Sequence, residues 1–452
     1  MSFKRKLNLF DATMLVIGNV VGAGIFTTAG FLAEEFNNPW LFVGIWVIGG
    51  FLTLCGALTY AEMAGMFPAS GGDYLYLKEA YGHYAGFLLN WVCFWIINPG
   101  SVAVLSIALA KYFEGLIGYS GILSEKITAL VVVLFFFIIN LRGVRLSGIT
   151  QNLWTAGSLI ILLFLITGGL VSGRGDWGHF AGNETGNFSI TRLFGPAMIA
   201  VIFSYSGWFV SAYIGDEIKK PERNLPLSIV YGTIIVTVLY VAVNMVYLYA
   251  IPLEGIKGVV NIGEVVGRKL LNPGIVNVVS VAIILSIAAS INATVLAGAR
   301  LSYAIAKDGF FWLYLKRLHV RHGTPHTALI VQAMLSCFYI VTGTFDNLLS
   351  AVVFVMLVSS IASAVAHLIL RRKKPFLERP YRTWGYPFTP IIFIISYSYI
   401  AMQIFISNPL RYAMGTIIVL TGIPFYFYLR SRAREGTADV NAIATPSQGT
   451  DR

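Results

Sequence analysis

Charge is what this sequence has least of. Asp, Glu, Lys and Arg make up 12% of its 452 residues, about half of the roughly 25% in an ordinary soluble domain. A chain of this length with so little charge cannot clothe a water-facing surface, which excludes a soluble globular protein. Histidine and cysteine are scarce too, at six and three residues. Cys55, Cys93 and Cys337 each sit alone in apolar stretches, where a thiol serves as a small hydrophobe, and no spacing suggests a metal site, a redox pair or a disulfide. His319, His322 and His326 crowd one loop and read as a solvated surface rather than a ligand set. No nucleophile stands beside a base in the sequence, so an enzyme is not expected, nor is a metal or cofactor.

Long apolar runs are what the chain has in quantity, with 57% hydrophobic residues. Nearly uncharged stretches of about 20 residues, enough to cross a hydrocarbon core of about 30 Å, recur from end to end. Backbone exposed to lipid must satisfy its own hydrogen bonds, so these runs are helices. The expected fold class is an all-α integral membrane protein with twelve transmembrane helices, at about 12–33, 39–66, 85–113, 124–143, 147–171, 191–215, 226–250, 273–304, 325–343, 347–370, 386–406 and 410–430. Residues 1–434 form one transmembrane domain, and 435–452 a polar, disordered cytoplasmic tail.

The basic residues orient this map. With both termini cytoplasmic, most of the 32 Lys and Arg fall at inner helix ends, including Lys4 to Lys6, Lys219, Lys220, Arg223 and the run Arg371 to Lys374, as cytoplasmic loops require. The net charge of +11 then faces anionic lipid. Basic residues spread over many short loops do not suit a nucleic acid. Lys4 to Lys6 before an apolar run imitates a signal peptide, but eleven further spans favour a retained first helix. The location implied is the plasma or inner membrane. Asn183-Glu-Thr and Asn187-Phe-Ser match the glycosylation pattern and fall in an outer loop.

Within the first span, the stretch Val20 to Phe26 reads V-V-G-A-G-I-F, with Gly18 just before it. Interior glycine costs a helix roughly 1 kcal/mol relative to alanine. Two readings stand: close helix packing, which small residues permit, or a deliberate break. The sixth span carries a second interruption, Phe203-Ser204-Tyr205-Ser206-Gly207-Trp208. Paired interruptions at corresponding positions of two halves are the sequence mark of a transporter built from inverted repeats. Spans 1–5, about 12–171, form one repeat and spans 6–10, about 191–370, the other, with helices 11 and 12 at about 386–430 left over.

A helix that starts in mid-membrane presents free N–H groups, and one that ends there presents free carbonyls. A zwitterionic amino acid supplies both missing partners. The candidate substrate-binding residues are Val20, Val21, Gly22, Ala23, Gly24 and Ile25 in the first break, and Phe203, Ser204, Tyr205, Ser206 and Gly207 in the second. The carboxylate is expected near Ala23, Gly24 and Ile25, and the ammonium on carbonyls of Val20, Val21 and Phe203 to Ser206. Phe203 reads as a lid and Trp208 as packing beneath it, ordinary bundle packing being the competing account of both. Asp216 and Glu217 face Lys219, Lys220 and Arg223 as an inner ion-pair gate, or lie in an inert solvated loop. Asn224 and Pro226 cap and open span 7. Asp11, Glu62, Arg300 and Lys307 lie toward cytoplasmic helix ends. Ser286, Ser290, Asn292 and Thr294 on span 8 could line a cation site beside the first break, or tie helices together.

In order and spacing, "GAGIF", "YAEMAGMFPASGGDYLYLKEAYG", "FSYSGW", "DEIKKPERNLPLSI", "ARLSYAIAKDG" and "ERPYRTWGYP" resemble the amino acid-polyamine-organocation superfamily, and within it the L-type amino acid transporters and their prokaryotic neutral amino acid exchangers. The resemblance covers nearly the whole chain. It implies two five-helix inverted repeats, alternating access, substrate carboxylate on Gly22 to Ile25, ammonium on Phe203 to Ser206, and Phe203 as a gate. Three departures stand out. Many relatives have a lysine in helix 5 where this chain has Ser158, so Ser158 joins Ser286 and Ser290 as a candidate cation site, with Na+ or H+ coupling open. Phe209 stands where asparagine commonly follows the tryptophan, and Ser206 where glycine is frequent, which argues against bulky substrates. Animal relatives join a heavy subunit through a cysteine between helices 3 and 4. Lys111 to Lys126 contains none, so no disulfide-linked partner is expected and the chain should act as a monomer.

The function expected is secondary active transport of neutral L-amino acids. The alternatives are a cationic amino acid or polyamine carrier, which would want a carboxylate near the pocket, and a channel or receptor, which would want a continuous polar path.

Overall fold

Helix starts follow capping chemistry written in the sequence. In the computed structural model, which describes residues 3–22, 24–118, 121–181, 196–259, 261–272, 274–309, 311–342, 345–407 and 420–429, helix α1 (Leu9–Val20) opens with a reciprocal cap. Asp11 N–H donates to the Asn8 side chain at 3.0 Å, and Asn8 N–H donates to the Asp11 carboxylate at 2.8 Å. Asp11 is thereby occupied as a cap. Helix α3 (Pro39–Met66) starts the same way, with Asn38 accepting from Trp40 N and Leu41 N and Pro39 in the first turn, where its missing N–H is no loss.

Between them lies α2 (Gly24–Glu34). After α3 come α4 (Asp73–Tyr81), α5 (His83–Ile117), α6 (Ile122–Leu141), α7 (Val144–Val171), α8 (Pro196–Ser204) and α9 (Pro221–Ala250). The chain continues through α10 (Ile262–Leu270), α11 (Ile275–Lys307), α12 (His326–Thr342), α13 (Phe345–Lys373) and α14 (Phe388–Ser407). Among the described residues eight helices are long and apolar enough to cross a membrane, and Leu9–Val20, His326–Thr342 and Leu420–Leu429 are shorter apolar helices. There is no sheet among them, only an isolated bridge between Leu7 and Ile218. This is an all-α, multi-pass membrane protein. Residues 182–195, 408–419 and 430–452, and with them both glycosylation motifs and the tail, lie outside the described residues.

One boundary differs from expectation. Helix α9 begins at Pro221, with Pro226 inside it, rather than at Pro226 behind an Asn224 cap. Pro221 itself fills the first turn, and the Asn224 amide instead donates to the Lys219 carbonyl at 2.5 Å.

Helix α1 is the hub, packed against α7, α9 and α11, while α9 runs along α3 and α11 lies between α5 and α7. The glycine signal divides here. A Cβ on Gly18 would sit 2.1 Å from Thr155 Oγ1 and 2.4 Å from Gln151 Nε2, so Gly18 serves the close crossing of α1 and α7. The backbone stops being helical only beyond it, at Val21 (φ −73°, ψ 86°), and resumes as helix at Gly24. The second interruption falls after Ser204. Residues 205–209 form turns, Gly207 takes φ +97°, and the chain goes on as a 3-10 helix, Val210–Glu217.

Candidate substrate site

The two interruptions touch. A Cβ on Gly24 would lie 2.9 Å from Ser204 Oγ and 3.3 Å from Ser204 Cα, so only glycine lets the start of α2 rest on the end of α8. A Cβ on Gly207 would strike the Asn19 amide at 2.4 Å, and that amide donates to the Gly207 carbonyl at 3.0 Å. Thr28 and Ser204 hydroxyls meet at 3.1 Å.

A third residue closes the arrangement. The hydroxyl of Tyr240, buried on α9, lies 2.8 Å from the Val20 carbonyl and 3.0 Å from the Ser204 carbonyl. These are the terminal residues of α1 and α8, and a helix end leaves such carbonyls without intrahelical donors. The one tyrosine proton is shared between the two broken ends. Sequence reasoning missed Tyr240, because it lies in an ordinary apolar helix among 23 tyrosines and only the packing of α9 against both breaks gives it meaning.

Around this junction lies a cavity of about 260 Å³, at the small end of small-molecule sites. Of the residues expected to bind substrate, Val20, Gly22, Gly24, Phe203, Ser204, Ser206 and Gly207 line it. Val21, Ile25 and Tyr205 do not: their side chains are buried in packing, and Tyr205 donates to the Trp46 carbonyl at 3.0 Å. Ala23 lies outside the described residues. Asn19, Thr28, Ser101, Thr294 and Met356 complete much of the wall, and no charged side chain lines it among the described residues. A Cβ on Gly22 would meet nothing nearer than Ser290 Oγ at 3.4 Å, so the backbone at Gly22 is open toward the space.

Phe203, at the end of α8, is partly exposed and also borders a second, smaller space with Trp208 and Tyr397. Trp208 is buried edge-on against Tyr60 at 4.8 Å between ring centres, with Phe393 at 6.2 Å. It does not itself line the central cavity.

The three serines separate. Ser290 Oγ donates to the Gly18 carbonyl at 2.9 Å and lines the cavity. Ser158 and Ser286 hydrogen-bond each other across α7 and α11, behind that wall. A cation at the first break would find the Gly18 and Asn19 carbonyls near Ser290, while Ser158 is engaged with its neighbour. Asn292 is bound to Asn140, Ser147 and Gln151, which makes it a tie between helices.

Glu217 forms its ion pair with another partner than the local lysines. Glu217 pairs with Arg300 of α11 at 3.1 Å, both side chains fully enclosed, and its carbonyl accepts from Lys6 N and Leu7 N. Asp216 receives no basic partner among the described residues; its N–H donates to Ser70 Oγ. Sequence distance hid this contact, since the whole of α9 lies between Glu217 and Arg300 on α11. Glu62 is likewise absorbed structurally. Arg371, Arg379 and the Thr383 N–H all donate to it, which fastens the "ERPYRTWGYP" segment to α3.

The family profile described as "Amino acid permease" matches residues 7–426. The chain belongs to the amino acid permease family. Its relatives include the serine/threonine exchanger SteT of Bacillus subtilis (strain 168), 32% identical over 95% of this chain and 98% of that protein. The Asc-type amino acid transporter 1 of Mus musculus is 30% identical over 94% and 81% of the two chains. The large neutral amino acids transporter small subunit 2 of Homo sapiens is 28% identical over 94% and 80%. The permease is thus a secondary transporter of amino acids in a membrane.

Proposed function

We propose that the permease carries small neutral L-amino acids by alternating access, with the zwitterion held at the junction of the two breaks. The observation that carries this reading is the cavity itself: both interrupted helices meet in it, and its described lining holds hydroxyls, an amide and open backbone but no charge. The first-turn N–H groups of α2 suit a carboxylate. The carbonyl ends of α1 and α8 suit an ammonium. Neither requires a charged side chain, because the net charge of the ligand is zero. Ser206, whose hydroxyl donates to the Phe203 carbonyl at 2.7 Å, narrows the side-chain end relative to glycine, and the relative named as a serine/threonine exchanger agrees with a small substrate.

In this reading the twelve spans form two inverted five-helix repeats, about 12–171 and 191–370, with helices 11 and 12 appended and residues 435–452 as a tail. Both termini are cytoplasmic in the plasma or inner membrane. Phe203 closes over the substrate, Trp208 braces the second break, and the Glu217–Arg300 pair is part of the inner gate. The chain works as a monomer. Coupling to Na+ or H+ is the remaining choice, since Ser158 stands where many relatives carry an ammonium group.

The test is transport by purified protein in liposomes, with a panel of labelled amino acids and with Na+, pH and internal substrate varied separately. Uptake of small neutral amino acids that needs internal substrate supports an exchanger; preference for arginine, lysine or a polyamine overturns the reading.

A further inference from the structure

A smaller chamber of about 80 Å³ adjoins the central cavity on the side of the chain's N-terminal segment. The two spaces share Asn19, Ser101, Gly207, Thr294 and Met356 as walls, and the Asn19 amide bonded to the Gly207 carbonyl belongs to the partition between them. The chamber's far wall carries Asp73, a carboxylate lodged where α4 meets the inner part of the sixth span and α13. Tyr213 Oη donates to one carboxylate oxygen at 2.8 Å and Ser363 Oγ to the other at 3.0 Å. The titratable groups facing Asp73 are Tyr60 from α3, Tyr76 from its own helix, Cys93 from α5 and Tyr213. None is a cation, and no ion pair reaches Asp73 among the described residues.

The part of the wall formed by α5 offers a free donor. Helix α5 swells into a π turn at Cys93–Ile97, where the Asn98 N–H reaches the Cys93 carbonyl, a distortion that concentrates at functional sites. Pro99 has no N–H for the Trp95 carbonyl, and the Tyr339 hydroxyl takes that carbonyl instead, at 2.7 Å. The turn delivers the Asn98 side chain to the chamber, and its buried amide nitrogen has no hydrogen-bond partner among the described residues. A buried carboxylate without a cation and a buried amide donor without an acceptor are each costly. A zwitterion satisfies both.

We propose that this chamber is a second amino acid site, in which Asp73 takes the α-ammonium and Asn98 the α-carboxylate of substrate entering or leaving on the N-terminal side. The inference rests on the functional reading above. It makes the permease asymmetric: from one side the amino acid meets only backbone and hydroxyls, and from the other it first meets a charge.

The experiment uses full-length protein in proteoliposomes of determined orientation, with labelled L-serine and L-leucine as probes and KM measured from each face. Asp73→Asn is expected to raise KM at the N-terminal face about tenfold or more, the size of one charge-assisted hydrogen bond, and to leave the opposite face within about twofold. Asp73→Glu restores part of the loss. Burial lifts the Asp73 carboxyl to about 6, so the wild-type KM at that face should climb as its pH drops below this value, and the climb should vanish in Asp73→Asn. Gly298→Ala is an independent variant. Its Cβ would press on Gln332 Nε2 at 2.7 Å and Asn98 Cγ at 2.9 Å, shrinking the chamber without entering the central cavity, and it should reproduce the one-sided effect. Equal KM changes at both faces, no change at either, or a pH response that survives in Asp73→Asn overturns the second site while leaving the central one standing. Wild-type protein that carries neither probe sinks the functional reading, and this one with it.

Discussion

Gly24 rests on Ser204: a methyl group added to the glycine would lie 2.9 Å from the serine hydroxyl and 3.3 Å from its Cα. The second contact is backbone and cannot swing away. Overpacking of this kind typically costs about 1–3 kcal/mol, and here it would also force the two breaks apart. Gly24→Ala should therefore cut substrate affinity at least tenfold, and Gly24→Val should abolish transport. Gly22→Ala is the control, because its Cβ would have 3.4 Å of clearance. It should reduce affinity by filling the cavity without lowering the thermal midpoint. Ligand binding and thermal unfolding in detergent separate the two, and equal stability losses would break the distinction.

Tyr240 links the same breaks from behind, with one hydroxyl against the carbonyls of Val20 and Ser204. Tyr240→Phe keeps the ring packing against Trp46 and Tyr205 and removes only that donor. A buried acceptor left unsatisfied costs about 1–3 kcal/mol. The variant should fold, unfold at lower temperature, and recover part of its stability when saturated with substrate, whose ammonium can serve the freed carbonyls. Substrate-dependent thermal shifts larger in the variant than in wild type are the expected result; shifts of the same size would show that the hydroxyl and the substrate do not share those acceptors.

Much of this was readable from residues alone because lipid imposes simple rules. The eight described helices long enough to cross a membrane follow from apolar length, and the interruptions at Gly22–Gly24 and Ser204–Gly207 follow from small and polar residues inside apolar runs. What could not be read was which glycine does what. Gly18, Gly22 and Gly24 look alike in sequence, yet one is pressed on Thr155, one has room before Ser290 and one is pressed on Ser204. Partners distant in the chain were hidden for a related reason. Glu217 sits beside Lys219 and Lys220 but pairs with Arg300, and the chain at Ile218 is held instead by its bridge to Leu7. Asp73 drew no expectation, because nothing local announces that Tyr213 and Ser363 enclose it.

The Glu217–Arg300 pair makes a prediction by its burial. An enclosed pair contributes little net stability, because desolvation offsets attraction, but removing one partner strands a charge at a cost of about 3–5 kcal/mol. Arg300→Met should be strongly destabilised, and Glu217→Gln with Arg300→Met should regain most of the loss. In the functional reading the double variant loses a lock on the closed inner face, so its solvent accessibility there, measured by labelling a cysteine introduced at Ser70, should rise. A double variant as unstable as Arg300→Met alone would mean that Arg300 serves packing rather than charge.

Asp73 contributes a pH-dependent share of the stability through its burial. Burial raises its carboxyl from 3.8 to about 6, against the lowering effect of the hydroxyl donors Tyr213, Tyr60 and Ser363. A raised carboxyl means that the folded protein binds the proton more tightly than the unfolded chain does. The resulting stabilisation is complete below about pH 4 and disappears as pH rises through about 6, at about 1.4 kcal/mol for each pH unit between the two values. Unfolding in detergent without substrate should therefore show a falling contribution between pH 4 and 6 that Asp73→Asn lacks, read as the difference between the two proteins so that other groups cancel. The sign is the informative part. A paired carboxylate would contribute in the opposite direction, gaining stability as pH rises, and finding that slope would mean that a cation reaches Asp73 even in the absence of substrate.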